Sequence, residues 1–214
     1  MAAGHDVHPL TLTGVGDRAH LSSPEITLST HVADIVSAIE YANLRGVVLV
    51  AHSYSGVPAT IAANRIPDRI SRIVYLAAVL ALAGRSLFDI FPPAVSQAIQ
   101  QSADAESDGW QFPMMDDDML DTYVGGHGLS TQDRVWLRAR AAGQPIAAYR
   151  EPAPADLSAV ESLSRTYIAC TGDPQVPLAA DVEVVMFEAG HWPMAIKLAE
   201  LAALLSRIAT VPGA

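Results

Sequence analysis

The run Val47-Val48-Leu49-Val50-Ala51, introduced by Gly46, constrains this chain most. Five consecutive apolar residues, most of them β-branched, have no polar side to turn to water. As a strand the run must be covered on both faces, which asks for a parallel sheet between layers of helix and a central place in it. The flanking sequence agrees. A helix is expected over roughly Leu28 to Asn43, where Val32, Ile35, Val36 and Ile39 recur at helical spacing behind Ser29 or Thr30 as N-cap. A second helix is expected from about Gly56 to Asn64, stopping before Pro67, and then a buried strand from Ile70 to Ala77. His5 to Leu12 reads as a short strand running into the turn Gly14-Val15-Gly16.

From Gly84 to about Ser162 the alternation stops. The segment carries Pro92-Pro93, Pro113, Gly125-Gly126, Gly128, Pro145, Pro152 and Pro154, with helical patches near Val95 to Gln101 and Thr131 to Ala141 and no strand pattern. It reads as a helical cap, at about residues 84–162, inserted into the sheet domain, and such insertions usually cover a site. The α/β pattern then resumes with strands at Thr166 to Thr171 and Val182 to Glu188 and a closing helix at Met194 to Ile208. With 214 residues, half of them apolar and 17% charged, residues 1–214 suffice for one domain around one sizeable core.

A formal charge of −10 disfavours nucleic acid or an anionic membrane surface as partner, because both require a basic footprint. The apolar runs are too short to span a bilayer and no basic-then-apolar leader opens the sequence, so a cytoplasmic location is expected. Cys170 is the single cysteine, which leaves neither an intramolecular disulfide nor a CxxC zinc site; a small residue finishing a strand is its simplest reading.

The chemistry concentrates where the first buried strand meets the helix after it. Ala51-His52-Ser53-Tyr54-Ser55-Gly56 is a small-x-Ser-x-small arrangement between strand and helix. Small neighbours are required because so tight a turn leaves no room for larger side chains. The turn lifts the serine oxygen above the sheet edge, and the helix start behind it offers backbone N–H groups to a developing oxyanion. Ala51 and Ser55 stand where glycines are usual, and an ordinary serine in a strand-to-helix turn remains the competing reading.

Glu188-Ala189-Gly190-His191-Trp192-Pro193-Met194 supplies the second element, a histidine in the loop between the last strand and the last helix. Placed there, His191 can act as general base toward Ser53. An acid should end the strand before it, and Asp173 in Thr171-Gly172-Asp173-Pro174 is the best candidate, with Asp181 and Asp89 as rivals and a turn-forming aspartate as the bland alternative. His5, His8, His20 and His31 read as surface or loop residues and His52 as structural, while His127 lies in the Gly-rich part of the cap.

The stretches Val47 to Gly56, Arg65-Ile66-Pro67-Asp68-Arg69-Ile70 leading to Val74-Tyr75-Leu76, and Gly190-His191 resemble the α/β-hydrolases related to plant hydroxynitrile lyases and methylesterases. Leu10 to Gly14, Arg18 to Leu21 and Asp108-Gly109-Trp110 resemble the bacterial esterase-like members of that group. The resemblance covers essentially the whole chain. It implies an α/β-hydrolase fold, Ser53 as nucleophile, Asp173 as acid, His191 as base, the Tyr54 N–H as oxyanion donor, and no metal or organic cofactor. Relatives often carry an aspartate at the position of Ala77, and its absence leaves more weight on Asp173.

The resemblance also implies a first strand and a His-Gly oxyanion loop that this sequence lacks. In the family that strand lies between the strands expected at His5 to Leu12 and at Val47 to Ala51, so its absence should open the middle of the sheet. Either the active protein has residues beyond these, or the sheet closes differently, for example with a second copy as a homo-oligomer. An oxyanion hole reduced to one donor costs about 100- to 1000-fold in rate. The expected activity is hydrolysis of small-molecule carboxylic esters through an acyl-enzyme. Trp110, Phe88 and Phe91, with Leu87, Phe112, Met114 and Met115, are expected to line an apolar pocket under the cap, and Trp192 to flank it beside His191. A non-catalytic or tailoring binding protein, and a hydroxynitrile-lyase-type lyase, are the alternatives; the cap contains arginines but no lysine to handle a leaving anion.

Overall fold

The computed structural model describes residues 4–123, 128–172 and 178–210. After a 3-10 turn at Gly16–Leu21, the elements run α1 (Leu28–Tyr41), β1 (Val47–His52), α2 (Gly56–Arg65) and β2 (Ile70–Leu76). The segment between β2 and the next long strand holds α3 (Leu87–Ile90), α4 (Pro93–Ser107), β3 (Gln111–Phe112), α5 (Asp117–Tyr123), α6 (Thr131–Arg138), β4 (Gln144–Pro145), α7 (Ala147–Arg150) and α8 (Ser158–Glu161). Then come β5 (Ser164–Cys170), β6 (Glu183–Phe187), α9 (Pro193–Ile196) and α10 (Leu198–Thr210).

Four parallel strands pair in the order β1-β2-β5-β6. The register sets His52 opposite Leu76, Leu76 opposite Ile168, and Cys170 opposite Phe187, so the carboxyl ends of all four strands lie along one edge. On one face the strands pack with α1, α2 and the cap in a core that includes Ile73, Tyr75, Ile61 and Val32. On the other, Val74, Leu76 and Ile168 pack with Leu201, Leu204 and Ile208 of α10. This is the layered arrangement that buried apolar strands demand, and Cys170 finishes β5 as a buried residue.

Three expectations are corrected. His5 to Leu12 forms no strand: residues 6–10 are exposed, and no ladder reaches them. A strand exists only where a neighbour takes up its hydrogen bonds, and the described residues hold none between this segment and β1. Instead its ends are held by side chains, with His5 Nε2 2.7 Å from Ser206 Oγ. Second, and for the same reason, β1 lies at the edge of the sheet rather than centrally, and its Val50 is 44% exposed. Third, the cap does contain strand: β3 and β4 form a two-residue antiparallel ladder. The closing helix is also divided, α9 ending at Ile196 and α10 beginning at Leu198.

The segment between β2 and β5 is tied to the sheet layer by Glu151, just after α7. Its carboxylate accepts from the Ser29 backbone N–H at 2.8 Å and the Ser29 hydroxyl at 2.5 Å, in the first turn of α1 where N–H groups lack helical partners. Partial burial works against its ionisation, but the hydrogen bonds from Ser29, Thr27 and Leu28 outweigh this and hold the carboxyl below its usual range. Among the described residues no helix is long and apolar enough to cross a membrane.

Glu151→Ala should lower stability by about 1 kcal/mol in urea denaturation at pH 7. Because the folded carboxyl titrates below its unfolded counterpart, this contribution is present above the unfolded pKa and disappears as pH falls through the folded one. The two unfolding curves should therefore converge at low pH; a gap that persists there would sink the capping role.

Candidate active site

The strand-to-helix junction after β1 is a sharp turn. Ser53 has φ +54°, in the left-handed region that a serine rarely occupies, and it begins a single 3-10 turn, Ser53–Ser55, that leads into α2. Its carbonyl accepts from the Val79 N–H at 3.1 Å, and Gly56 lies so close to the chain leaving β2 that a Cβ there would sit 2.3 Å from the Val79 carbonyl oxygen. The close-approach requirement thus falls on Gly56. That is why Ser55 is tolerated where a glycine is usual.

Four parallel strands place β1 and β6 three spacings apart, about 14 Å. Residues leaving β6 can meet residues leaving β1 only by crossing the ends of β5 and β2. The loop after Phe187 does so: Ala189, Gly190 and His191 are all buried. His191 Nε2 accepts from the Ser53 hydroxyl at 2.9 Å, and the Trp192 ring stands edge-on to the His191 ring, 4.8 Å between centroids. His52, the last residue of β1, donates from Nε2–H to the His191 carbonyl at 2.7 Å.

A polar chain, buried at Tyr54 and His31 and half-buried beyond them, supports the turn from below. The Tyr54 hydroxyl donates to Nδ1 of His31 at 2.6 Å, and His31 Nε2–H donates to the Thr13 carbonyl at 2.9 Å, which fixes the histidine as the neutral Nε2–H tautomer. Asp34 secures Thr13 in turn, accepting from its N–H at 2.6 Å and its hydroxyl at 2.8 Å, and pairs with Arg18. The Tyr54 ring stacks on Tyr149 at 5.4 Å. Burial pushes both phenols above their ordinary range and is the main reason that the His31 pKa is lowered, against the opposing pull of the Thr13 carbonyl and Asp34. His31 is therefore a core residue, 1% exposed, and not the surface residue expected from sequence. A signal was present, since Leu28, His31, Ile35 and Ile39 share one helix face, all of them buried.

Of the predicted residues, Ser53, Tyr54, His191 and Trp192 come together. Asp173 and His127 lie outside the described residues. Both rival acids are engaged elsewhere: Asp181 pairs with Arg165, and Asp89 accepts from the Ser86 N–H and hydroxyl at the start of α3. Phe88 and Phe91 are half-buried against the main core, Phe88 beside Tyr149 at 5.9 Å. Trp110 is half-buried at the start of the β3 ladder, its carbonyl accepting from Ile146 N–H. Among the described residues, no ring contact or hydrogen bond joins Trp110, Phe88 or Phe91 to Ser53 or His191, and no three metal-ligating side chains converge.

A serine held left-handed at the carboxyl end of a parallel strand, facing a histidine from the loop after the last strand, is a strand–turn–helix arrangement on a doubly covered α/β sheet. Residues 1–204 match the alpha/beta hydrolase family, and the chain belongs to it. Among characterised relatives, a carbendazim hydrolyzing esterase of Nocardioides sp. (strain SG-4G) is 46% identical over 93 residues, 44% of this chain. That match spans only 38% of the esterase. An extracellular alpha/beta-hydrolase from a Paenibacillus species superposes with a TM-score of 0.80 at 22% identity, over 96% of this chain and 88% of its own. Tomato methylketone synthase I superposes with a TM-score of 0.73 at 17% identity, over 98% and 88% of the two chains. At such identities the structural likenesses speak for the fold.

His31→Gln removes a titrating group from beneath the turn while keeping a polar side chain. Since the folded histidine resists protonation, its contribution is complete above the unfolded value of about 6.5 and is lost as pH falls from there toward the lower folded value. The stability difference between wild type and His31→Gln should be largest near pH 7.5 and narrow by pH 5.5 in urea titrations. A constant difference would show that His31 does not titrate in this way.

Proposed function

We propose that this protein is a serine hydrolase of small-molecule carboxylic esters. The observation that carries the reading is Ser53: a strained backbone points its hydroxyl at Nε2 of His191, 2.9 Å away. A left-handed serine maintained by the surrounding packing is the kind of backbone strain that clusters at functional positions. The relative named for ester hydrolysis supports the reaction class.

In this reading His191 Nε2 takes the hydroxyl proton as Ser53 Oγ attacks the ester carbonyl. The oxyanion of the tetrahedral intermediate meets the Tyr54 N–H at the start of the turn into α2. Collapse expels the alcohol, which receives the proton from His191, and leaves an acyl group on Ser53. A water activated by the same imidazole then releases the acid and restores the serine. Asp173 serves as the residue that orients His191, and no cofactor takes part. The single unit of residues 1–214 carries its cap at about 84–162, and the substrate's apolar part lies against Trp192, with Phe88, Phe91 and Trp110 contributed from the cap. An acidic chain with one buried cysteine suits the cytoplasm.

Turnover of p-nitrophenyl acetate and butyrate, with fluorophosphonate labelling read by intact mass, tests this reading. Wild type should label once and hydrolyse both esters; Ser53→Ala should lose labelling and at least about 1000-fold in kcat. A folded wild type that neither labels nor hydrolyses would overturn it in favour of a binding protein.

A further inference from the structure

We propose that His52 is a positioning residue for His191, a role that rests on the serine-hydrolase reading. The two residues of the candidate pair come from opposite edges of the sheet, β1 and β6, so their meeting depends on how the crossing loop is caught on the far side. The main-chain bonds of that loop hold it near its own strand: Ala189 N–H donates to Phe187 O at 2.8 Å, Gly172 N–H to Ala189 O at 3.3 Å, and Thr171 N–H to Phe187 O at 3.1 Å. All of these lie on the β5–β6 side.

On the β1 side the backbone of the loop is caught by His52. Its Nε2–H donates to the carbonyl of His191 itself at 2.7 Å, and the two imidazole rings lie against each other at 4.8 Å, tilted by 48°. The bond requires the neutral or charged imidazole to carry its hydrogen on Nε2, and it fixes the peptide that follows the His191 Cα. With that peptide held and Trp192 edge-on to the ring, His191 Nε2 stands 2.9 Å from Ser53 Oγ. His52 and Ser53 are adjacent in sequence, so one strand end carries both the nucleophile and the anchor for its base.

Glutamine places an N–H near the position of a histidine Nε2, whereas leucine fills similar space without a donor. With p-nitrophenyl butyrate, His52→Leu should lose 10- to 100-fold in kcat, with KM changed by less than about 3-fold, and fluorophosphonate labelling should slow in proportion. His52→Gln should recover to within about 5-fold of wild type. Hydrogen exchange of the peptide Ala189 to Ile196 should quicken in the leucine variant and remain slow in the glutamine variant. A folded His52→Leu with wild-type kcat and labelling, or two variants equally impaired, would overturn the assignment. Should wild type itself neither label nor turn over, the hydrolase reading fails separately. The exchange comparison then decides the anchor alone, and equal exchange in the two variants refutes it.

Discussion

The left-handed backbone of Ser53 is the constraint on which the rest depends. A non-glycine residue at φ +54° is held there only if its neighbours exclude the relaxed alternatives. They do so from three directions. Val79 N–H holds the serine carbonyl, Gly56 seats the start of α2 against the Val79 carbonyl, and the buried Tyr54 hydroxyl is tethered to His31. The chain leaving β2 is itself bent sharply enough to bring Val79 there: Ala77 also lies left-handed, at φ +46°, with its N–H on the Ile168 carbonyl. Two strained, non-glycine residues thus follow directly after adjacent parallel strands, β1 and β2, at the carboxyl edge. Strain is stored where the sheet meets the site and is balanced by the buried core behind it.

The polar chain from Tyr54 through His31, Thr13 and Asp34 to Arg18 performs a second task. Without a ladder partner, the segment around Thr13 has no sheet to define its path, and side chains define it instead. Arg18 donates to the Thr11 carbonyl at 3.0 Å and to Asp34 at 3.2 Å, so each member of the chain is satisfied by the next. Buried polar groups arranged in this way are costly to break singly, because removing any one leaves another desolvated and unpaired. The elbow and the loop at Thr13 are therefore coupled through the core.

What the sequence revealed follows from which interactions are local. Runs rich in apolar residues identified β1, β2, β5 and β6 to within about two residues; burial on both faces holds for β2 and β5, whereas β1 and β6, at the edges, are partly exposed. The elbow and the His191 loop were legible from their places between strand and helix. The strand expected at His5 to Leu12 was not formed, since pairing depends on a distant neighbour that no local pattern encodes. The same dependence put β1 at an edge. Tyr149, which lies beneath Tyr54 and beside Phe88 and Phe112, comes from the proline-rich end of the cap, where periodicity is too brief to announce a core residue. His52 read as structural from the sequence, but its partner, the His191 carbonyl, lies 139 residues further along the chain, where no local pattern announces it.

The electrostatics of the molecule bear on the proposed reaction as well. In the proposed reaction a neutral ester becomes a carboxylate: charge is transient in the tetrahedral intermediates and persists only on the acid product. A chain with a formal charge of −10 disfavours an anionic product more than an uncharged ester. In the proposed mechanism the attractive elements are local: the Tyr54 N–H in the turn before α2 and the imidazolium formed transiently on His191. Both act on the tetrahedral oxyanion at contact distance, where a low dielectric strengthens them, whereas the acidic surface acts over a screened range of about 10 Å. On the proposed mechanism, stabilisation of the transition state at contact distance and repulsion of the product over the screened range act on different length scales, so one site can bind the developing charge tightly and still release the finished anion.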